Sequence, residues 1–175
     1  MEFQPRHALT FRYSGRARAL ETPIKISLPT AEEGAVLKNV QAKEYKGIWD
    51  TGATNSVITK KIIDELNLKP IGLVEVHHAA GKSFANRYLV NIILPNNVVI
   101  QSVAVTEGAL IAMDMLIGMD IITLGDFAVT NKDNRTTMSF RIPSCKEIDF
   151  VPESDQYNYV MKNGSRKDKD RFLDG

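Results

Sequence analysis

Lys46-Gly47-Ile48-Trp49-Asp50-Thr51-Gly52-Ala53-Thr54 reads as an apolar strand that runs into an acid, a small hydroxyl residue and a glycine. The strand holds the backbone of Asp50, Gly52 lets the chain turn closely and offer its amide to the acid, and Thr51 can brace the turn through its hydroxyl. By average residue usage an Asp followed by Ser or Thr and then Gly arises by chance in about one chain in ten of this length, and a plain Asx-turn explains it as well. The tripeptide decides nothing alone. Its surroundings do: a strand before it, Ala53 after it, and downstream the segment Met115-Leu116-Ile117-Gly118-Met119-Asp120-Ile121.

Outward from this turn, short apolar runs alternate with turn signals. Strands are expected at 36–40, 45–49, 73–78, 84–94 and 98–105, with turns at Ala80-Gly81-Lys82 and Pro95-Asn96-Asn97. One helix interrupts them: Thr59 is its N-cap, Ile62, Ile63 and Leu66 form its apolar stripe, and Pro70 bars its extension. A second, short helix is expected over 119–124, ending at Gly125 and capped by Asp120. Beyond it, 127–130 and 137–142 flank Asn131-Lys132-Asp133-Asn134 as a hairpin with a long turn.

The ends read differently. Arg6, Arg12, Arg16 and Arg18 form a local basic cluster, taken as a solvated arm because no aromatic stacking platform accompanies it; the alternation of Ile24, Ile26 and Leu28 then predicts one strand. After Pro143 the apolar pattern fades, although Tyr157, Tyr159 and Val160 retain the means to pack, and 162–171 is a mixed-charge run expected to be solvated or disordered. The organisation expected is an N-terminal extension over 1–35 with at most one added strand, a single domain over 36–142, and a partly flexible C-terminal extension over 143–175.

Composition narrows the function classes. With 22 Lys+Arg against 21 Asp+Glu the chain has no overall field favouring nucleic acid or an anionic membrane, and no apolar run approaches the ~18 residues of a membrane helix. A lone cysteine, Cys145, forms no internal disulfide and suits a reducing compartment, so a cytoplasmic location is the expectation. Cys145 has no nearby His and is read as structural. Gly81-Lys82-Ser83 lacks the earlier glycine of a phosphate loop, since Val76 stands there. His77 and His78 point to opposite faces of a strand and make a poor metal pair; Asp114 and Asp120 are assigned no catalytic part.

The Asp50-Thr51-Gly52-Ala53 turn, answered by Leu116-Ile117-Gly118, resembles the retropepsin family of aspartic peptidases, over roughly 36–142. The resemblance implies a mainly β acid-protease fold with one or two short helices, assembled as a two-fold homodimer. It implies that Asp50 is catalytic, that Thr51, Gly52 and Ala53 support its turn, and that Leu116, Ile117 and Gly118 cross beneath it in a psi-shaped floor. It also implies a flap over substrate, here 73–89 with Ala79, Ala80, Gly81 and Lys82 at its tip. Thr54 and Met119 stand where viral members carry an Asp and an Arg that pair with each other. Losing both leaves no orphan charge, and the Gly118-Met119-Asp120 form is more similar to the cellular and bacterial members.

Two carboxylates in contact cannot both ionise comfortably and share a proton. The ionised one then serves as general base on water while the protonated one donates to the substrate carbonyl, with no metal or cofactor required. The chain holds a single such tripeptide, so a two-fold partner is expected to bring the second Asp50 to a polypeptide substrate. The rival expectation is a catalytically silent dimer of the same fold that binds a peptide or protein; retention of Asp50, Thr51 and Gly52 favours the peptidase.

Overall fold

Period-two patterning sets the strands. The computed structural model describes residues 5–29, 42–78 and 81–173, and the strand expected at 36–40 lies outside them. In β2 (Leu20–Ser27) Thr22, Ile24 and Ile26 turn inward while Pro23 and Lys25 face out, and in β3 (Lys43–Trp49) Tyr45, Gly47 and Trp49 do the same. The order continues through β4 (Val57–Ile58), α1 (Lys60–Leu66), β5 (Gly72–His78), β6 (Gly81–Leu94), β7 (Val98–Glu107), β8 (Met115–Ile117) and α2 (Met119–Ile122). It ends with β9 (Asp126–Thr130) and β10 (Thr137–Ile142). All of these lie in one compact unit, Met1–Cys145.

Seven strands pair in the order β2-β3-β8-β4-β7-β6-β5, and a further pairing of β2 with β6 closes the first six into a ring. The ring is filled by Ile24, Ile26, Tyr45, Ile58, Val90, Ile92, Val105, Met115 and Ile117, with Ile62 and Ile121 added from the helices. A register shift between Val90 and Ile92 lets the long β6 serve both neighbours. Asn91, fully buried there, satisfies the irregularity: its amide donates to the Leu28 carbonyl at 3.0 Å and its carbonyl accepts the Ser102 N–H at 2.9 Å.

The N-terminal arm differs from expectation. Residues before Leu20 form a second strand, β1 (His7–Arg12), antiparallel to β10, which in turn pairs with β9. Leu9 is buried and Phe11 packs on the core, while Arg12 points to solvent. The arginines mark the outer face of a strand and the loop after it, and the apolar alternation of Leu9 and Phe11 is the stronger signal. The small sheet meets the ring at Trp49, whose indole lies 5.4 Å from the Phe127 ring and 5.1 Å from that of Phe140.

Two helix details also depart from expectation. Thr59 occupies the N-cap of α1 but makes no side-chain cap; its backbone carbonyl accepts from Ile62 and Ile63, and its buried Oγ1 has no partner among the described residues. Helix α2 stops at Ile122, with 123–125 closing in turn bonds to Met119, Ile121 and Ile122; its N-cap is Gly118, and Asp120, inside the first turn, accepts the Ile121 N–H at 3.0 Å.

The second unit, Lys146–Gly175, is helical: α3 (Val151–Asn163) and α4 (Arg166–Leu173). The mixed-charge run is therefore not irregular. Pro152 sits in the first turn of α3, where its missing N–H costs nothing. Ser165 and Asp168 form a reciprocal cap at the start of α4, the Ser165 N–H reaching Asp168 Oδ2 at 3.0 Å. Among the described residues no helix is long and apolar enough to cross a membrane.

Candidate active site

The Asp50 turn joins β3 to β4, and β8 runs between these two strands, parallel to β3 and antiparallel to β4. Its register sets Trp49 beside Ile117, so the strand ends where the turn begins. The Asp50 N–H donates to the Ile117 carbonyl at 3.0 Å, the Gly52 N–H to Asp50 Oδ1 at 2.8 Å, and the Ala53 N–H to the Asp50 carbonyl at 3.3 Å. Backbone and carboxylate of this residue are thereby both held. Just before it, Trp49 is anchored by its stacked rings and by an indole N–H bond to Thr22 Oγ1 at 3.0 Å in the buried core.

The carboxylate is half-buried. Gly52 lines its open side, where an added Cβ would come within 3.2 Å of Asp50 Oδ1. Of the two braces expected, the Gly52 amide meets the Asp50 carboxylate, while Thr51 is exposed and its hydroxyl makes no hydrogen bond among the described residues.

The floor segment approaches closely. Leu116 and Ile117 lie in β8, and Gly118 follows with its backbone against the turn: a Cβ there would sit 2.7 Å from the Asn55 carbonyl carbon. The Met119 N–H donates to the Ala53 carbonyl at 2.8 Å and the Asp120 N–H to the Thr54 carbonyl at 3.1 Å. Thr54 and Met119 thus meet the opposite segment through main chain alone, which fits the absence of a charged pair.

Ser56, which sequence reasoning passes over, and Asp120, read there only as a helix cap, complete the junction. Ser56, fully buried, gives its N–H to Asp120 Oδ2 at 2.9 Å and its hydroxyl to Asp120 Oδ1 at 2.8 Å, and its Oγ accepts the Gly118 N–H at 3.0 Å. The Ile121 N–H is the third donor to the Asp120 carboxylate, reaching Oδ1 at 3.0 Å. Asp114 does comparable work one strand-length back, accepting the Lys46 N–H at 2.9 Å and the Lys61 ammonium at 3.0 Å.

Strands β5 and β6 form the expected hairpin, with His77 opposite Lys82 and His78 opposite Gly81; Ala79 and Ala80 lie outside the described residues. Hairpin and turn bracket one cleft of about 460 Å³, lined by residues 52–55 and Val57 on one side, 74–76 on the hairpin, and 106–108 beyond. Glu107 is held there by Asn86 Nδ2 at 3.0 Å and the Tyr88 hydroxyl at 3.3 Å. Burial first, and the Glu107 charge second, push the Tyr88 phenol above its ordinary value, so it stays a neutral donor. Asp50 itself is not among the residues that line this cleft; with Arg18, Leu20 and Val129 it borders a separate hollow of about 410 Å³. The Cys145 side chain is exposed, and its N–H is engaged by Asp126.

Residues 38–123 match the family described as gag-polyprotein putative aspartyl protease. Similar solved structures include a retropepsin-like aspartic protease from Rickettsia conorii (12% identity, 81% of this chain and 98% of that one, TM-score 0.47). They also include the retroviral protease-like domain of Ddi1 from Leishmania major (18%, 77% and 99%, 0.43) and the Simian Foamy Virus (mac) protease (13%, 57% and 90%, 0.39). The comparison with curated proteins finds no match. The matched segment 38–123 carries both the Asp50 turn and the Ile117-Gly118 floor, so the likeness to the aspartyl protease family falls on the residues that build this site.

Proposed function

We propose that this protein is an aspartic endopeptidase in which two copies of the chain each contribute Asp50 to one site. The observation that carries the reading is a half-buried carboxylate, fixed at backbone and side chain, on a turn that shares a cleft with a β-hairpin. The cleft is of a size that takes an extended peptide segment, and the hairpin stands where a lid over it would stand.

A water held between the two carboxylates loses its proton to the ionised one as it attacks the scissile carbonyl, while the protonated one donates to the carbonyl oxygen. Collapse of the tetrahedral intermediate returns a proton to the leaving amine. Cleavage needs one acid and one base in the pair, so it falls away on both sides of an optimum. One chain supplies half of this machinery; closed two-fold pairing supplies the rest.

The test is cleavage of a peptide library by purified protein beside Asp50→Asn, with circular dichroism to confirm folding and light scattering to give the mass of the active species. Cleavage by the parent as a dimer and none by the variant is the expected result. Cleavage surviving in folded Asp50→Asn, or activity in a species that stays monomeric at every concentration, would refute the shared site. A folded parent that binds peptides without cleaving them would identify a silent binding module.

A further inference from the structure

We infer that Asp120 is a positioning residue for the catalytic turn, acting through Ser56, and that the carboxylate serves it better than an amide. The inference rests on the peptidase reading for its effect on turnover, but not for its effect on the turn itself.

Three donors converge on two oxygens. Asp120 Oδ2 takes the Ser56 N–H, and Oδ1 takes both the Ser56 hydroxyl and the Ile121 N–H, which is shared with the Gly118 carbonyl at 3.1 Å. Because Ser56 Oγ already accepts the Gly118 N–H, its own proton is directed to Asp120. The chain of donation therefore has one sense, from Gly118 through Ser56 to Asp120. It crosses from the floor segment to the turn segment and back, closing a loop with the Asp120 N–H to Thr54 carbonyl bond. Ser56 is fully buried, so none of its groups has water as a substitute.

An amide serves this junction less well than the acid. In Asp120→Asn, an amide oxygen turned toward the Ser56 N–H leaves the new NH2 facing the Ile121 N–H; turned over, the NH2 faces the Ser56 N–H. Each orientation sets two donors against each other, so the near-isosteric variant keeps the volume and weakens the tie. Residues 52–55 line the cleft, and their position beside the floor is set by this junction and the two main-chain bonds next to it. Loosening it leaves the ring core untouched and frees the turn that carries Asp50.

The experiment is amide hydrogen exchange by NMR on the folded protein, comparing the parent with Asp120→Asn, Ser56→Ala and the double variant, alongside kcat and KM for peptide cleavage. Exchange at Asp50, Gly52 and Ala53, all hydrogen-bonded here, should rise about tenfold or more in each single variant. Exchange at Ile92 and Val103 in the ring should stay as in the parent, and the double variant should be no worse than the worse single one. Turnover should fall in kcat by about tenfold or more with little change in KM. Equal protection at 50–53 in parent and variants would overturn the inference. So would a uniform rise across the core, which marks a merely structural role, or additive effects in the double variant. A parent without cleavage would sink the peptidase reading alone, because the exchange pattern decides the tie by itself.

Discussion

Replacing Gly118 by Ala tests how tightly the floor supports the turn. The backbone there is extended, at φ −93° and ψ −172°, a conformation that alanine adopts freely, so any cost comes from contact. The new methyl would lie 2.7 Å from the Asn55 carbonyl carbon, 2.8 Å from its oxygen and 3.0 Å from the Ala53 oxygen. These are backbone atoms, well inside the roughly 3.5–4.0 Å of a comfortable carbon contact, and no rotamer relieves them. The turn cannot simply back away, because its Ala53 and Thr54 carbonyls accept from Met119 and Asp120 and Ser56 Oγ accepts from Gly118 itself. Overpacking of this kind costs about 1–3 kcal/mol, and stretching even one of those bonds adds about 1 kcal/mol. Urea unfolding should therefore place Gly118→Ala about 2–4 kcal/mol below the parent. Gly72→Ala is the matched control: no heavy atom lies within 4 Å of its added Cβ, and its stability should stay within about 0.5 kcal/mol of the parent. Equal midpoints for the two variants would refute the claim of close approach.

Two further outcomes are expected. Thr22→Val removes the acceptor of the buried Trp49 indole N–H and should lower stability by about 1–3 kcal/mol in a thermal melt; a variant as stable as the parent would show that the indole finds another partner. Asp126 is held well below the ordinary carboxylate range by the Ser144 hydroxyl first, then by the Arg141 guanidinium and the Cys145 N–H. A depressed acid stabilises the fold above the unfolded-chain value of about 3.9, and that contribution is lost as pH falls through the folded value. Stability of the parent should therefore decline on acidification below about pH 4, more steeply than that of Asp126→Asn. Parallel decline in both would remove Asp126 as a cause.

Where local chemistry determines structure, the sequence is sufficient. Period-two burial locates β2, β3, β6 and β7, and the Asn-rich turn before β7 follows from the ease with which Asn96 and Asn97 take φ of 57° and 54°. Misreading arises where charge outweighs pattern. Arg12 lies in a strand whose Leu9 and Phe11 alternate inward, and the basic surroundings obscure that alternation. In the tail, Ser165 and Asp168 carry the start signal of α4 inside a run of charges; helices whose described side chains lie at the surface need caps more than an apolar stripe, and a search for the stripe alone does not find them.

The site divides along the same line. Asp50, Thr51 and Gly52 are contiguous, and the bond from the Gly52 N–H to the Asp50 carboxylate spans two residues, so the turn is written in one short stretch. Asp120 and Ser56 are 64 residues apart, and neither side chain predicts the other: an acid at the second position of a short helix is an ordinary way to answer its free N–H groups. What redirects Asp120 is the sheet order. Once β8 is threaded between β3 and β4, the residues just past its end must lie against the residues just past the turn, and the buried donors of Ser56 then need an acceptor from the opposite segment. The identity of that acceptor follows from a topology that no local pattern encodes, so a supporting residue of this kind is found by accounting for each buried N–H and hydroxyl after the fold is known.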